Sequence, residues 1–193
     1  MKTYFILAFI LCFVGYFVHT IAHLLEHGHC RLKKSKIFMA FIVTFVFTGF
    51  FAWIYMIYSD PVRINLSHYI TLPIGLAITI AGLVPLIAAR MIRKGFTEED
   101  HLITTGVYSI LRHPLYIGAI LLNIGIPLMF NGLVTLLSSV IWLVFIVIWM
   151  KIDEATLGRI YGEEDTEYKK KDTLLVSNPH FSNRTESLIE NIS

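Results

Sequence analysis

The chain alternates between long apolar runs and short polar stretches. Four runs contain no Asp, Glu, Lys or Arg: Tyr4 to Leu25, Ile37 to Tyr58, Ile64 to Ala89 and Leu115 to Met150. An α-helix rises about 1.5 Å per residue, so about 20 apolar residues cross a hydrocarbon core about 30 Å thick. Each of the first three runs therefore predicts one crossing. The fourth is too long for a single span and carries the turn dipeptide Asn131-Gly132 at its centre, which predicts a helical hairpin over 116–150. The expected fold is all-α: a polytopic membrane protein of about five transmembrane helices.

Local signals refine this outline. Pro73 and Pro85 in the third helix predict a kink near Ile80 and Ala81. The fourth helix, Tyr116 to Phe130, is only about 22 Å long and must tilt little or thin the bilayer; a shallow hairpin is the alternative. Beyond Met150 the chain turns polar but has no Gly or Pro until Gly158, so the fifth helix should continue into the cytoplasm. The organisation expected is three N-terminal helices over 1–92, a core over 93–171 and a flexible tail over 172–193. Tyr4 to Leu25 is read as a retained helix: its apolar run exceeds that of a signal peptide and no small-residue cleavage pattern follows.

Composition agrees, with 55% hydrophobic and 16% charged residues against about 25% charged in soluble domains. The basic residues then give an orientation, because cytoplasmic loops hold the excess of Lys and Arg. Arg31, Lys33, Lys34 and Lys36 follow the first helix, and Arg63 stands alone after the second. Arg90, Arg93, Lys94 and Arg112 follow the third, none lies at the Asn131-Gly132 turn, and Lys151, Arg159 and Lys169 to Lys171 follow the fifth. This alternation predicts an external N-terminus and a cytoplasmic C-terminus. The net charge of +2 is a topology signal and implies no nucleic acid. Cys12 falls mid-helix and Cys30 in a cytoplasmic loop, which excludes a disulfide framework. Sequons at Asn65, Asn183 and Asn191 carry no weight, since two of the three fall on the cytoplasmic side.

Two polar loci could carry chemistry. The loop from Arg90 to Leu115 ends in Arg112-His113-Pro114 directly before the fourth helix. Pro114 suits a first helical turn. Read alone, Arg112 and His113 are interfacial anchors beside Tyr108 and Tyr116. The second locus, Lys151-Ile152-Asp153-Glu154, sets two carboxylates just past a hydrophobic span. Both loci fall on the same face, and a cationic and imidazole cluster opposite a carboxylate pair can bind a zwitterion.

These residues resemble the isoprenylcysteine carboxyl methyltransferases and their phospholipid methyltransferase relatives. That family's signature is Arg-His-Pro-x-Tyr-x-Gly, a helical hairpin, Glu-Glu-x-x-Leu, Phe-Gly and two spaced tyrosines. Here stand Arg112-His113-Pro114-Leu115-Tyr116-Ile117-Gly118, then Asp153-Glu154-Ala155-Thr156-Leu157, Tyr161-Gly162 and Tyr168. Upstream, Leu102-Ile103-Thr104-Thr105-Gly106-Val107-Tyr108 resembles the family's Leu-Val-x-x-Gly-Val-Tyr. The likeness covers about Asp100 to Lys171. It implies a methyltransferase using S-adenosylmethionine without a Rossmann domain, and no G-x-G-x-x-G occurs in the chain. By resemblance the cofactor pocket comprises Asp100, His101, Leu102, Ile103, Tyr108, Arg112, His113, Pro114, Leu115, Tyr116, Asp153 and Glu154. In it a carboxylate holds the cofactor's ammonium, and aromatic faces attract a cation. The resemblance names no catalytic base and no metal.

Two departures stand out. Asp153 occupies a position where the family usually carries Glu, and Trp149 occupies one where the prenylcysteine enzymes carry an arginine for the substrate carboxylate. The methyl acceptor is therefore read as a lipid or a prenylated or other amphiphilic molecule at the cytoplasmic face. The rival readings are a non-catalytic scaffold and a metal-binding membrane protein. His19, His23, Glu26, His27, His29 and Cys30 crowd the end of the first helix, and His19, His23 and His27 share one face. Such spacing can bind zinc or iron. This cluster is read as a locus separate from the carboxylate pair.

Overall fold

The computed structural model describes residues 2–27, 36–93 and 102–166. Its elements are α1 (Lys2–His27), α2 (Lys36–Ser59), α3 (His68–Arg93), a 3₁₀ turn (Gly106–Ser109), α4 (Pro114–Met129) and α5 (Leu133–Tyr161). The tail expected over 172–193 lies outside the described residues, as do His29, Cys30, Asp100 and His101. Among the described helices α1, α2, α3 and α5 are long and apolar enough to cross a membrane, and α4 is a shorter apolar helix. Large apolar side chains such as Ile80 and Val84 on α3 and Val140 and Val144 on α5 lie exposed. In water such faces would aggregate; against lipid they are in their own solvent. The protein is an integral membrane protein.

Several hydroxyls inside the spans find a backbone partner within their own helix, as lipid favours. The hydroxyls of Thr20, Thr44, Thr48 and Thr79 donate to the carbonyl four residues earlier at 2.7–2.8 Å. Pro73 and Pro85 are accommodated inside one continuous α3. At 29 residues, α5 is about 43 Å long, so its polar last turns project beyond a core of about 30 Å.

Small residues set the tightest packing. A Cβ on Gly118 would stand 2.7 Å from Gly82 O, and one on Gly125 would stand 2.6 Å from Thr79 Oγ1. The α3 and α4 backbones therefore touch, the arrangement that small side chains permit in membranes. Because the pair is antiparallel and Gly118 meets Leu86 and Gly82, Pro114 comes level with Arg90, at the basic end of α3. By contrast α1 and α5 run parallel. Phe9 packs on Trp142 (5.5 Å between ring centres), Tyr16 on Trp142 (4.8 Å) and Trp149 (5.3 Å), and Trp149 Nε1 donates to Thr20 Oγ1 at 2.7 Å. Cys12, Met56 and Trp142 are fully buried where α1, α2 and α5 meet.

The far end is tied by backbone bonds between two connections. Ile64 N donates to Asn131 O and Leu133 N to Val62 O, both at 3.0 Å. The buried carboxylate of Asp60, just after α2, accepts from Thr135 N (2.7 Å), Thr135 Oγ1 (2.7 Å) and Val134 N (3.3 Å). It thereby caps the first turn of α5, whose N–H groups have no partners within the helix. The α2–α3 connection and the Asn131-Gly132 turn, both poor in basic residues, thus share one end. The two polar loci share the other.

Candidate active site

The site forms where the segment before α4 meets the projecting turns of α5. Pro114 occupies the first turn of α4, where its missing N–H is no loss. The His113 carbonyl accepts from Tyr116 N and Ile117 N at 3.1 and 3.0 Å. This start holds Arg112 and His113 inward, 4% and 5% exposed. Both are buried, which does not fit their reading as interfacial anchors.

Successive positions on a helix point about 100° apart, so neighbouring carboxylates on α5 serve different partners. Glu154 faces the loop: Arg112 Nε donates to its Oε1 at 2.6 Å and Arg112 Nη2 to its Oε2 at 3.3 Å. His113 Nε2 also lies 2.6 Å from Glu154 Oε1. Asp153 faces α4 and α1. Tyr116 OH donates to its Oδ2 at 2.6 Å, and His23 Nε2 stands 3.3 Å from its Oδ1.

A third acidic group joins from beyond α5. Gly162 adopts φ +52°, a left-handed conformation that side-chain-bearing residues resist, and the chain turns there. Asp165 is carried into the site, fully buried, where its Oδ1 accepts from Arg112 Nη2 at 2.7 Å. Arg112 is thus gripped by carboxylates on two segments, in the fork geometry that guanidinium suits.

The electrostatics follow. Burial by itself would lower the Arg112 pKa, but the hydrogen bonds and charges of Glu154 and Asp165 outweigh it and raise the value. The guanidinium stays charged. Burial lowers His113 below the ordinary histidine value, and the adjoining Glu154 carboxylate does not overcome it. That order is physically sensible, because Arg112 already compensates Glu154. A neutral His113 can still donate from Nε2. With one guanidinium against the carboxylates of Asp153, Glu154 and Asp165, the described cluster is negative and suits a cation.

Of the residues singled out in the sequence, Arg112, His113, Tyr116, Asp153 and Glu154 come together, with Pro114 and Leu115 as their support. Leu102 is buried and Ile103 half-buried in the segment leading to the 3₁₀ turn. Tyr108 lies in that turn, which rests on α3 where a Cβ on Gly106 would stand 2.6 Å from Ile92 Cδ1. Asp100 and His101 lie outside the described residues.

Sequence reasoning missed two members. Asp165 lies in the acidic run Glu163-Glu164-Asp165, where no motif singles it out, and the turn at Gly162 brings it inside. His23 belongs to the histidine cluster that was set apart from the carboxylate pair. The structure corrects that separation: His23 meets Asp153, while His19 stands edge-on to Trp149 at 4.5 Å. Among the described residues no three His, Cys, Asp or Glu side chains converge on a metal-sized site. The metal-binding and scaffold readings are not favoured. Trp149 is consumed in α1–α5 packing and offers no cation to a substrate carboxylate.

No curated protein and no solved structure matches the chain significantly. The sequence profile of the phospholipid methyltransferase family, however, matches residues 69–164. That stretch runs from the first turn of α3 to just past α5 and holds Arg112, His113, Tyr116, Asp153 and Glu154. The chain belongs to this family of integral membrane methyltransferases, which includes the isoprenylcysteine carboxyl methyltransferase-like proteins.

Proposed function

We propose that the protein is an S-adenosylmethionine-dependent methyltransferase that acts from within the membrane on a lipid, prenylated or other amphiphilic acceptor at the cytoplasmic face. Methyltransferases of this family generally use S-adenosylmethionine. One observation carries the reading. Two elements more than thirty residues apart, the Arg-His-Pro-Leu-Tyr stretch and the Asp-Glu pair, interlock through Arg112–Glu154, His113–Glu154 and Tyr116–Asp153. The negative cluster fits a ligand carrying both a sulfonium and an ammonium, and Tyr116 offers an aromatic face to a cation. When bound, the cofactor supplies a methyl group already activated on sulfur.

The chain's residues divide the remaining work. Asp153, 26% exposed against 14% for Glu154, is the carboxylate that receives the ammonium. Glu154 holds Arg112 and His113 in position. Tyr116 steadies Asp153, and the Leu102, Ile103 and Tyr108 segment walls the pocket with Pro114 and Leu115. Alignment of nucleophile, carbon and sulfur and exclusion of water supply the catalysis. An already ionised acceptor needs no base.

The test is methyl transfer from methyl-labelled S-adenosylmethionine by purified protein in nanodiscs of mixed phospholipids. Label should appear in the extractable lipid fraction and be lost with Asp153→Asn. No label in lipid from wild-type protein would remove the lipid-acceptor reading. The orientation proposed, N-terminus outside and C-terminus cytoplasmic, is tested by single cysteines. Those at Ser35 and Asp172 should react only from the cytoplasmic side and one at Asn65 only from outside; reaction of Ser35→Cys and Asn65→Cys from one side contradicts it.

A further inference from the structure

The family match begins at residue 69 and leaves α1 out. Yet α1 delivers a side chain to the middle of the site. His23 Nε2 stands 3.3 Å from Asp153 Oδ1, while Tyr116 occupies Oδ2. The register behind this contact is firmly set. One turn before Asp153, Trp149 donates to Thr20 at 2.7 Å, three residues before His23, and it stacks on Tyr16 at 5.3 Å. His19 stands edge-on to both Trp149 (4.5 Å) and His23 (5.9 Å). The parallel course of α1 and α5 carries this register one turn further, to His23 and Asp153. Both side chains are mostly covered, at 15% and 26% exposed.

We propose that α1 completes the cofactor site: His23 holds the Asp153 carboxylate in place for the cofactor's ammonium and fills the space that the family's longer glutamate would take. The proposal rests on reading this site as one for S-adenosylmethionine. A glutamate at position 153 would carry its carboxylate about 1.5 Å further, one C–C bond length, into an imidazole only 3.3 Å away. The shorter aspartate and the histidine are thus two halves of one solution. Held by groups from α1 and α4, the carboxylate is oriented before the ligand arrives, which reduces the ordering cost of binding.

The arrangement is also proton-linked. A neutral imidazole steadies the carboxylate and leaves its charge for the ammonium; a protonated one neutralises that charge and competes. Among the described contacts, His23 meets Asp153 on α5 and His19 on its own helix. Tyr116 on α4 shares the same carboxylate, and Glu154 beside it is engaged by Arg112 and His113. Cofactor affinity should therefore fall as pH drops through the histidine range.

Isothermal titration of the full-length protein in nanodiscs, with S-adenosylmethionine as the probe, tests this. At about pH 8, above the ordinary histidine range, His23→Ala should weaken binding about tenfold and His23→Gln, which keeps an N–H donor, by about threefold or less. In an Asp153→Asn background, His23→Ala should have no further effect, since the pair acts as a unit. Asp153→Glu should weaken binding, and adding His23→Ala should restore it. Between about pH 8 and pH 5.5 wild-type affinity should fall at least about tenfold, whereas His23→Gln stays flat. Unchanged affinity in His23→Ala, additive losses with Asp153→Asn, or a wild-type pH profile in His23→Gln would each overturn the proposal. So would equal losses in the Ala and Gln variants that follow their melting temperatures. If wild-type protein binds no cofactor at either pH, the underlying methyltransferase reading fails and takes this proposal with it.

Discussion

Replacing Arg112 tests the clamp at the heart of the site. Its side chain is 2% exposed and bonds Glu154, 14% exposed, and Asp165, 1% exposed. Arg112→Ala leaves two carboxylates facing each other without their shared cation. Breaking a buried ion pair from one side costs about 3–5 kcal/mol, because the remaining charge stays desolvated. Arg112→Lys keeps the charge but loses the fork that reaches both carboxylates. One charged hydrogen bond, about 1.5–3 kcal/mol, should go with it. The assay is unfolding in detergent followed by tryptophan fluorescence, with Trp149 and Trp142 as reporters on α5. The order should be wild type, then Lys, then Ala. Added salt to about 0.5 M should leave the differences intact, since screening acts on exposed charges. An Arg112→Ala loss under about 1 kcal/mol, the range of exposed pairs, would refute the buried clamp.

Three further outcomes are expected. His113 is held below the ordinary histidine value of about 6.5, so below that pH the unfolded chain binds the extra proton and the folded one resists it. Stability should therefore be full above about pH 6.5 and decline as pH falls, and His113→Gln should flatten that slope in a pH series of melts. Gly125→Ala puts a methyl 2.6 Å from Thr79 Oγ1 and 2.7 Å from Thr79 N and should cost about 1–3 kcal/mol by overpacking. Gly162→Ala meets no atom within 4 Å, so its cost should be backbone strain alone, about 1–3 kcal/mol; an unchanged melting temperature in Gly125→Ala would contradict the packing. Asp60→Ala removes the cap of α5 and should cost at least about 1.5–3 kcal/mol, with Asp60→Asn milder in the same assay.

The helices were legible because lipid imposes a simple rule on sequence. Uncharged runs at Tyr4–Leu25 and Ile37–Tyr58 became α1 (Lys2–His27) and α2 (Lys36–Ser59). The turn at Asn131-Gly132 separates α4 from α5, and the polar continuation past Met150 stays helical to Tyr161. Half of the site was legible too, as a motif before α4 and a carboxylate pair on α5. The rest depends on packing that leaves no local trace. His19, His23 and His27 visibly share a helical face, but only the parallel docking of α1 on α5 aims that face at Asp153. Asp165 is one acid among Glu163, Glu164 and Asp165, and the backbone reversal at Gly162 selects it. The division of labour within the pair was equally hidden, since a step of one residue sends Glu154 to Arg112 and Asp153 to Tyr116.

Calorimetric titration of S-adenosylmethionine into purified wild-type protein, beside Asp153→Asn and Glu154→Gln, bears most directly on the central claim. Wild-type protein should show saturable one-to-one binding. Asp153→Asn should weaken it by about 10–150-fold, the value of a charged hydrogen bond of about 1.5–3 kcal/mol, without lowering the melting temperature. Glu154→Gln should instead lower the melting temperature, because it removes the charge of one of the two carboxylates that hold Arg112. Absence of saturable binding by wild-type protein, or full affinity in Asp153→Asn, would contradict the account.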